Sequence, residues 1–169
     1  MSTYSTNGAQ TFLERFAQPL PMPDMRAMPL GLADWQISAL QTFTMSHRLL
    51  VTDDDAMSRK YYRALLSETF GLGMIDTWDP QEALYICQTQ PVALVISCIV
   101  KTTRMDGLAL IENMRKLSRT HFIPVLLISG SANIHELALQ AGADAHLTKP
   151  CHPNEILQEI WLLLRGQVL

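Results

Sequence analysis

The sequence predicts an α/β domain in three layers, with helices on both sides of a parallel sheet. Three observations predict it. Five short apolar runs alternate with five segments of helical periodicity, and that alternation calls for a sandwich with right-handed crossovers. Gly or Pro punctuates most junctions between the two kinds of segment. The first run, Leu49-Leu50-Val51-Thr52, ends directly in three acids, Asp53-Asp54-Asp55, at the strand end where open α/β sheets place their chemistry.

Residues 1–46 read as an extension separate from the domain at 47–169. Thr11 to Phe16 has the spacing for one or two helical turns, and Pro19, Pro21, Pro23 and Pro29 then favour an extended linker. A helix is predicted over 34–45, with Trp35, Ala39, Leu40 and Phe43 on one face and Asp34 as N-cap or first-turn acid. That face is buried either on the domain or against a second copy of the chain.

Within the domain, Ala56 to Phe70 reads as a helix stopped by Gly71 and Gly73, and Met74 to Thr77 as a short strand. Pro80 opens a helix that ends near Thr89. Pro91 introduces Val92-Ala93-Leu94-Val95-Ile96, the most strand-like run in the chain. Leu108, Ile111, Met114 and Leu117 mark one buried face of a helix from Gly107 to about Ser118. Pro124 to Ile128 is the fourth strand and ends at Ser129-Gly130. Ala132 to Ala141 is helical up to Gly142, Ala145 to Leu147 is a brief strand, and Pro153 opens a last helix reaching about Arg165. After Leu164 too few residues follow for an output domain, so the expectation is a stand-alone unit.

Composition narrows the function. At 169 residues and 48% hydrophobic content the chain supports a full core, and a net charge of −3 lacks the basic excess that nucleic acid demands. The start is polar, and no apolar run reaches the roughly 18 residues of a membrane span, so a cytoplasmic protein without membrane contact is expected. Cys87, Cys98 and Cys151 are odd in number and widely spaced, which favours reduced thiols over a disulfide framework or a zinc site. Neither a P-loop nor a Gly-rich phosphate loop follows any strand, which disfavours a nucleotide- or flavin-binding enzyme.

Four stretches, in order, carry a family resemblance: Leu50-Val51-Thr52-Asp53-Asp54-Asp55, Met105-Asp106-Gly107, Ile123-Pro124-Val125, and Ala141 to Pro150 with Thr148-Lys149-Pro150 at its end. From residue 47 to about 165 the chain resembles the receiver domain of two-component response regulators. The resemblance implies a flavodoxin-like, doubly wound sheet in the order 2-1-3-4-5. It also implies a magnesium site at Asp53 and Asp54, phosphate-contact positions at Ser129 and Lys149, and a switch position at His146. Magnesium wants oxygen ligands, while a hydroxyl and a lysine stabilise phosphoryl oxygens.

The phosphoacceptor departs from the pattern. The family runs Pro-Asp-x-x-x-x-Asp through the third strand, and here Pro91-Val92-Ala93-Leu94-Val95-Ile96-Ser97 puts Ser97 at the acceptor place. Counting back seven from Asp106 gives Ile99 instead, so the following loop reads as two residues longer. Neither register, nor Cys98 between them, supplies a carboxylate. Without that anion, Asp53 and Asp54 either hold magnesium weakly or pair with Lys149, and the lysine pairing is favoured. Lys101 and Arg104, on the lengthened loop, are further candidate cations.

The remaining candidates are weaker. His146 is either a pH-sensitive switch or a tolerated, partly exposed histidine. Cys98 and Cys151 fall at one end of the sheet, where a redox bridge competes with inert thiols, and His152 matches no standard zinc spacing. Ile160, Trp161 and Leu164 belong to an apolar surplus on the last helix, read as an interface unless the 34–45 helix covers it. The sequence thus reads as an atypical receiver in phosphorelay signalling, not an enzyme, that needs no cofactor. It is expected to act by contact with a protein, whether a histidine kinase, another regulator, an output protein or a second copy. The alternative is a phosphorylatable, magnesium-dependent receiver with a different acceptor.

Overall fold

The computed structural model describes residues 31–98, 107–131 and 134–169. The expected turns at 11–16, the proline linker and the lengthened loop with Lys101 and Arg104 lie outside the described residues. The first described helix, α1, is Asp34–Thr44. Asp34 is its first-turn acid; Ala33 is the N-cap, and its N–H donates to Gln36 Oε1 at 2.7 Å. β1, Arg48–Thr52, follows, and Asp55 then caps α2, Ala56–Tyr62. The helix predicted as far as Phe70 loses its α geometry at Arg63 and continues as a π-helix over Arg63–Thr69. β2 is Met74–Thr77; α3 is Pro80–Thr89, with Asp79 accepting from the Gln81 N–H at 2.9 Å; β3 is Val92–Cys98. Then come α4 (Gly107–Lys116), β4 (Val125–Ser129), α5 (His135–Ala141), β5 (Ala145–Thr148) and α6 (Pro153–Val168).

All strand pairs are parallel, and the sheet runs β2-β1-β3-β4-β5. Alternation along the strands divides the core in two. Leu49, Val51, Leu94, Ile96, Leu126 and Ile128 face the layer of α1, α2 and α6, whereas Leu50, Val95, Val125 and Leu127 face α3, α4 and α5. The β1–β3 register is interrupted once. Arg48 pairs with Val92 but Leu49 with Leu94, so β3 carries one extra residue near its start.

Two clamps fix the loops. Arg115 of α4 donates from Nε to the Gly142 carbonyl (2.8 Å), from Nη1 to the Ile123 carbonyl (2.8 Å) and from Nη2 to Asp144 Oδ2 (2.7 Å). Gly142 caps α5 at φ +100°, and a Cβ there would also stand 2.8 Å from Arg115 Cγ, so the position needs glycine twice over. Arg59 and Arg63 both pair with Asp76 of β2.

The interface read on α6 is corrected. Ile160, Trp161 and Leu164 are buried within the chain. α1 lies over that face, where Trp35 meets Trp161 edge-on with ring centroids 5.3 Å apart. It is latched by Gln41 Nε2 donating to the Phe70 carbonyl (2.8 Å) and by the Gly73 N–H donating to Thr44 Oγ1 (3.0 Å). The surplus therefore serves intramolecular packing, and Leu162 is the apolar α6 side chain left half exposed.

Candidate functional site

The site lies at the C-terminal ends of β1, β3 and β5. The three acids that leave β1 divide their work. Asp53 continues the face of Leu49 and Val51, is buried, and accepts the Asp55 N–H on Oδ1 at 2.9 Å. Asp54 is exposed. Asp55 caps α2 by accepting the N–H groups of Met57 (3.2 Å) and Ser58 (2.9 Å) and the Ser58 hydroxyl (2.9 Å). Partial burial works against its charge, but those hydrogen bonds outweigh it and hold the carboxyl below its ordinary pKa. Arg59 Nη1 donates to the Asp53 carbonyl at 2.7 Å and so braces the turn from α2.

Lys149, one residue past β5, reaches back across the sheet and donates from Nζ to Asp53 Oδ2 at 3.0 Å. Its backbone N–H donates to the Ser129 carbonyl at 2.7 Å, tying the end of β5 to the end of β4. Burial disfavours the ammonium, yet the Asp53 carboxylate that accepts from it keeps its pKa above the ordinary lysine value. Ser129 is buried, and its Oγ accepts the Ser131 N–H at 3.1 Å.

The residue read at the tip of the third strand is also corrected. Ser97 pairs with Thr52 in the ladder and belongs to the α3/α4 side, where it is fully buried and Gly107 stands against it. Cys98, one residue on, returns to the face of Leu94 and Ile96 and meets Asp53, Lys149 and the Tyr62 hydroxyl. The physical reason is the extra residue in β3, which adds one to any count taken from Pro91. Burial first, and the Asp53 carboxylate second, push the thiol pKa up, so Cys98 sits in the site as a neutral S–H. Tyr62, likewise raised by burial and its neighbours, is a neutral phenol. The cluster therefore holds one carboxylate, one ammonium and two uncharged donors. A signal for Cys98 was present in the sequence: Asp53 shares the parity of Leu49 and Val51, and the matching parity on β3 runs through Leu94, Ile96 and Cys98.

Other candidates fall outside this cluster. His146 lies on β5 against His135 of α5, with ring centroids 5.5 Å apart. His152 is the N-cap of α6, its Nδ1 accepting the Asn154 N–H at 3.2 Å while Glu155 accepts the His152 N–H at 2.6 Å. All three cysteines are free thiols. Among the described residues no three His, Cys, Asp or Glu side chains gather as a metal-binding group, and no helix is long and apolar enough to cross a membrane.

The 2-1-3-4-5 sheet accords with known proteins. A profile of the response regulator receiver domain matches residues 49–161. The chain belongs to that family. It is 36% identical over 124 residues to the response regulator MprA of Mycobacterium bovis, covering 72% of this chain and 52% of MprA. It is 28% identical over 140 residues to the cyclic di-GMP phosphodiesterase response regulator RpfG of Xanthomonas campestris, covering 80% of this chain and 37% of RpfG. The receiver thus spans about half the length of the first relative and less of the second. Among solved structures, a CheY-like receiver domain protein from Methanospirillum hungatei superposes with a TM-score of 0.63 at 28% identity, covering 72% of this chain and 95% of that one. The residues 49–161 matched by the receiver profile contain the Asp53–Lys149 site, and α1 stands before them.

Proposed function

We propose that this receiver works in two-component signalling through protein contacts, without accepting a phosphoryl group at the end of β3. One observation carries the reading: the side chain that β3 brings to Asp53 and Lys149 is the neutral thiol of Cys98. An acyl phosphate needs a carboxylate there. The donor set also suits magnesium poorly, because this hard cation takes oxygen ligands, whereas β3 offers sulfur and Lys149 already engages Asp53 Oδ2. With its carboxylate neutralised from within the chain, the site has the counter-charge that a phosphorylated receiver would have to rearrange. Its output would then depend on which protein binds it, a histidine kinase, another regulator or an output protein, or on pairing with a second copy. Incubation of the full chain with a small phosphodonor and magnesium, followed by intact mass, tests this. No phosphoryl adduct is expected; an adduct that hydroxylamine removes marks an acyl phosphate and overturns the reading.

A further inference from the structure

Away from the acid site, on the α5 side of β5, two imidazoles from different elements stand together. His135 opens α5 and is exposed; His146 lies in the middle of β5 and is partly buried. Their ring centroids are 5.5 Å apart and the planes are inclined by 53°. His146 Nε2 is fully buried and, among the described residues, has no hydrogen-bond partner. A buried ring nitrogen in that condition is destabilising unless something satisfies it. Ring packing alone leaves the cost standing. With metal–nitrogen bonds of about 2.0–2.1 Å and near-tetrahedral angles, two imidazoles sharing one ion hold their centroids roughly 5 Å apart. The observed separation lies close to that distance.

We propose that His135 and His146 together bind one divalent transition-metal ion of the zinc class, with His146 as the shielded ligand and His135 as the exposed one. Imidazole suits zinc, copper and nickel, and because His135 is exposed, water would complete the shell from that side. Both rings must be neutral to ligate; burial of His146 and the neighbouring His135 act in that direction by lowering the His146 pKa. A site with two protein ligands is open, so it would respond to metal supply rather than hold a permanent structural ion. Because β5 also leads to Lys149, the ion would join α5 to the strand that carries the site lysine. The proposal does not rest on the absence of phosphorylation.

The test is a zinc titration of the tag-free full chain by calorimetry, beside His135→Gln, His146→Gln and Cys151→Ser. His135 is exposed, so its substitution leaves the fold intact, which a melting curve without zinc verifies. One equivalent is expected, weakened about tenfold or more in either histidine variant and unchanged in Cys151→Ser. Absence of binding, or binding that survives His135→Gln, or binding lost in Cys151→Ser, overturns the assignment.

Discussion

Asp53 is a carboxylate almost without solvent, and the structure answers that with two donors, a backbone N–H on one oxygen and the Lys149 ammonium on the other. Removing one partner of a buried charge usually costs more than the pair contributes, because the survivor stays desolvated. The Lys149 side chain is 35% exposed, so water screens part of the effect. Lys149→Ala is therefore expected to cost about 1 kcal/mol, measured by denaturant unfolding at neutral pH; coincident curves would show that the lysine is not the counter-charge. The folded lysine pKa lies above the ordinary 10.5, so this contribution is full below that value and disappears as pH rises through the folded pKa. Asp55 behaves in the opposite sense. Its folded pKa is below 3.8, so its cap is at full strength above 3.8 and is lost as pH falls through the folded value. Asp55→Ala should cost about 1 kcal/mol near neutrality, and the gap to the parent protein should close in acid.

At the level of elements, α1 is a cover for α6. It fills the space over Trp161 that the domain alone leaves apolar, and it enters the larger core through Leu40, which is fully buried. Leu40→Ala should destabilise the protein by about 2–4 kcal/mol, seen in thermal melting, with a shift in tryptophan emission as the Trp35–Trp161 contact loosens. The elements themselves were legible in the sequence because the punctuation is strong: Gly71, Pro80, Pro91, Gly142 and Pro153 each sit at a boundary. What α6 packs against was not legible. An apolar surplus looks the same whether its partner is a helix of the same chain or of another molecule, and only the placement of α1 decides. The π-helix over Arg63–Thr69 also escaped the sequence, since its apolar residues fit an α pattern equally well.

For the molecule as a whole, sheet order came from the order of motifs along the chain and is the order found, and the parallel strands collect their C-terminal ends on one edge. Asp53 and Lys149 are 96 residues apart in sequence, yet they meet because each follows directly on a strand of that sheet. The clamp of Arg115 on Gly142, Ile123 and Asp144 went unread, since nothing local distinguishes a tethering arginine from a solvated one. The identity of the β3 side chain failed for a simpler reason, an error of one position introduced by the irregular pairing near Val92. That single surplus residue settles where a working acceptor would have to be grafted. Cys98→Asp should gain a hydroxylamine-sensitive phosphoryl group from a small donor. Ser97→Asp instead drives an acid into the packed underside of the sheet and should unfold the protein by several kcal/mol. A ruler laid along the chain from Pro91 would choose the wrong one of these two engineered proteins.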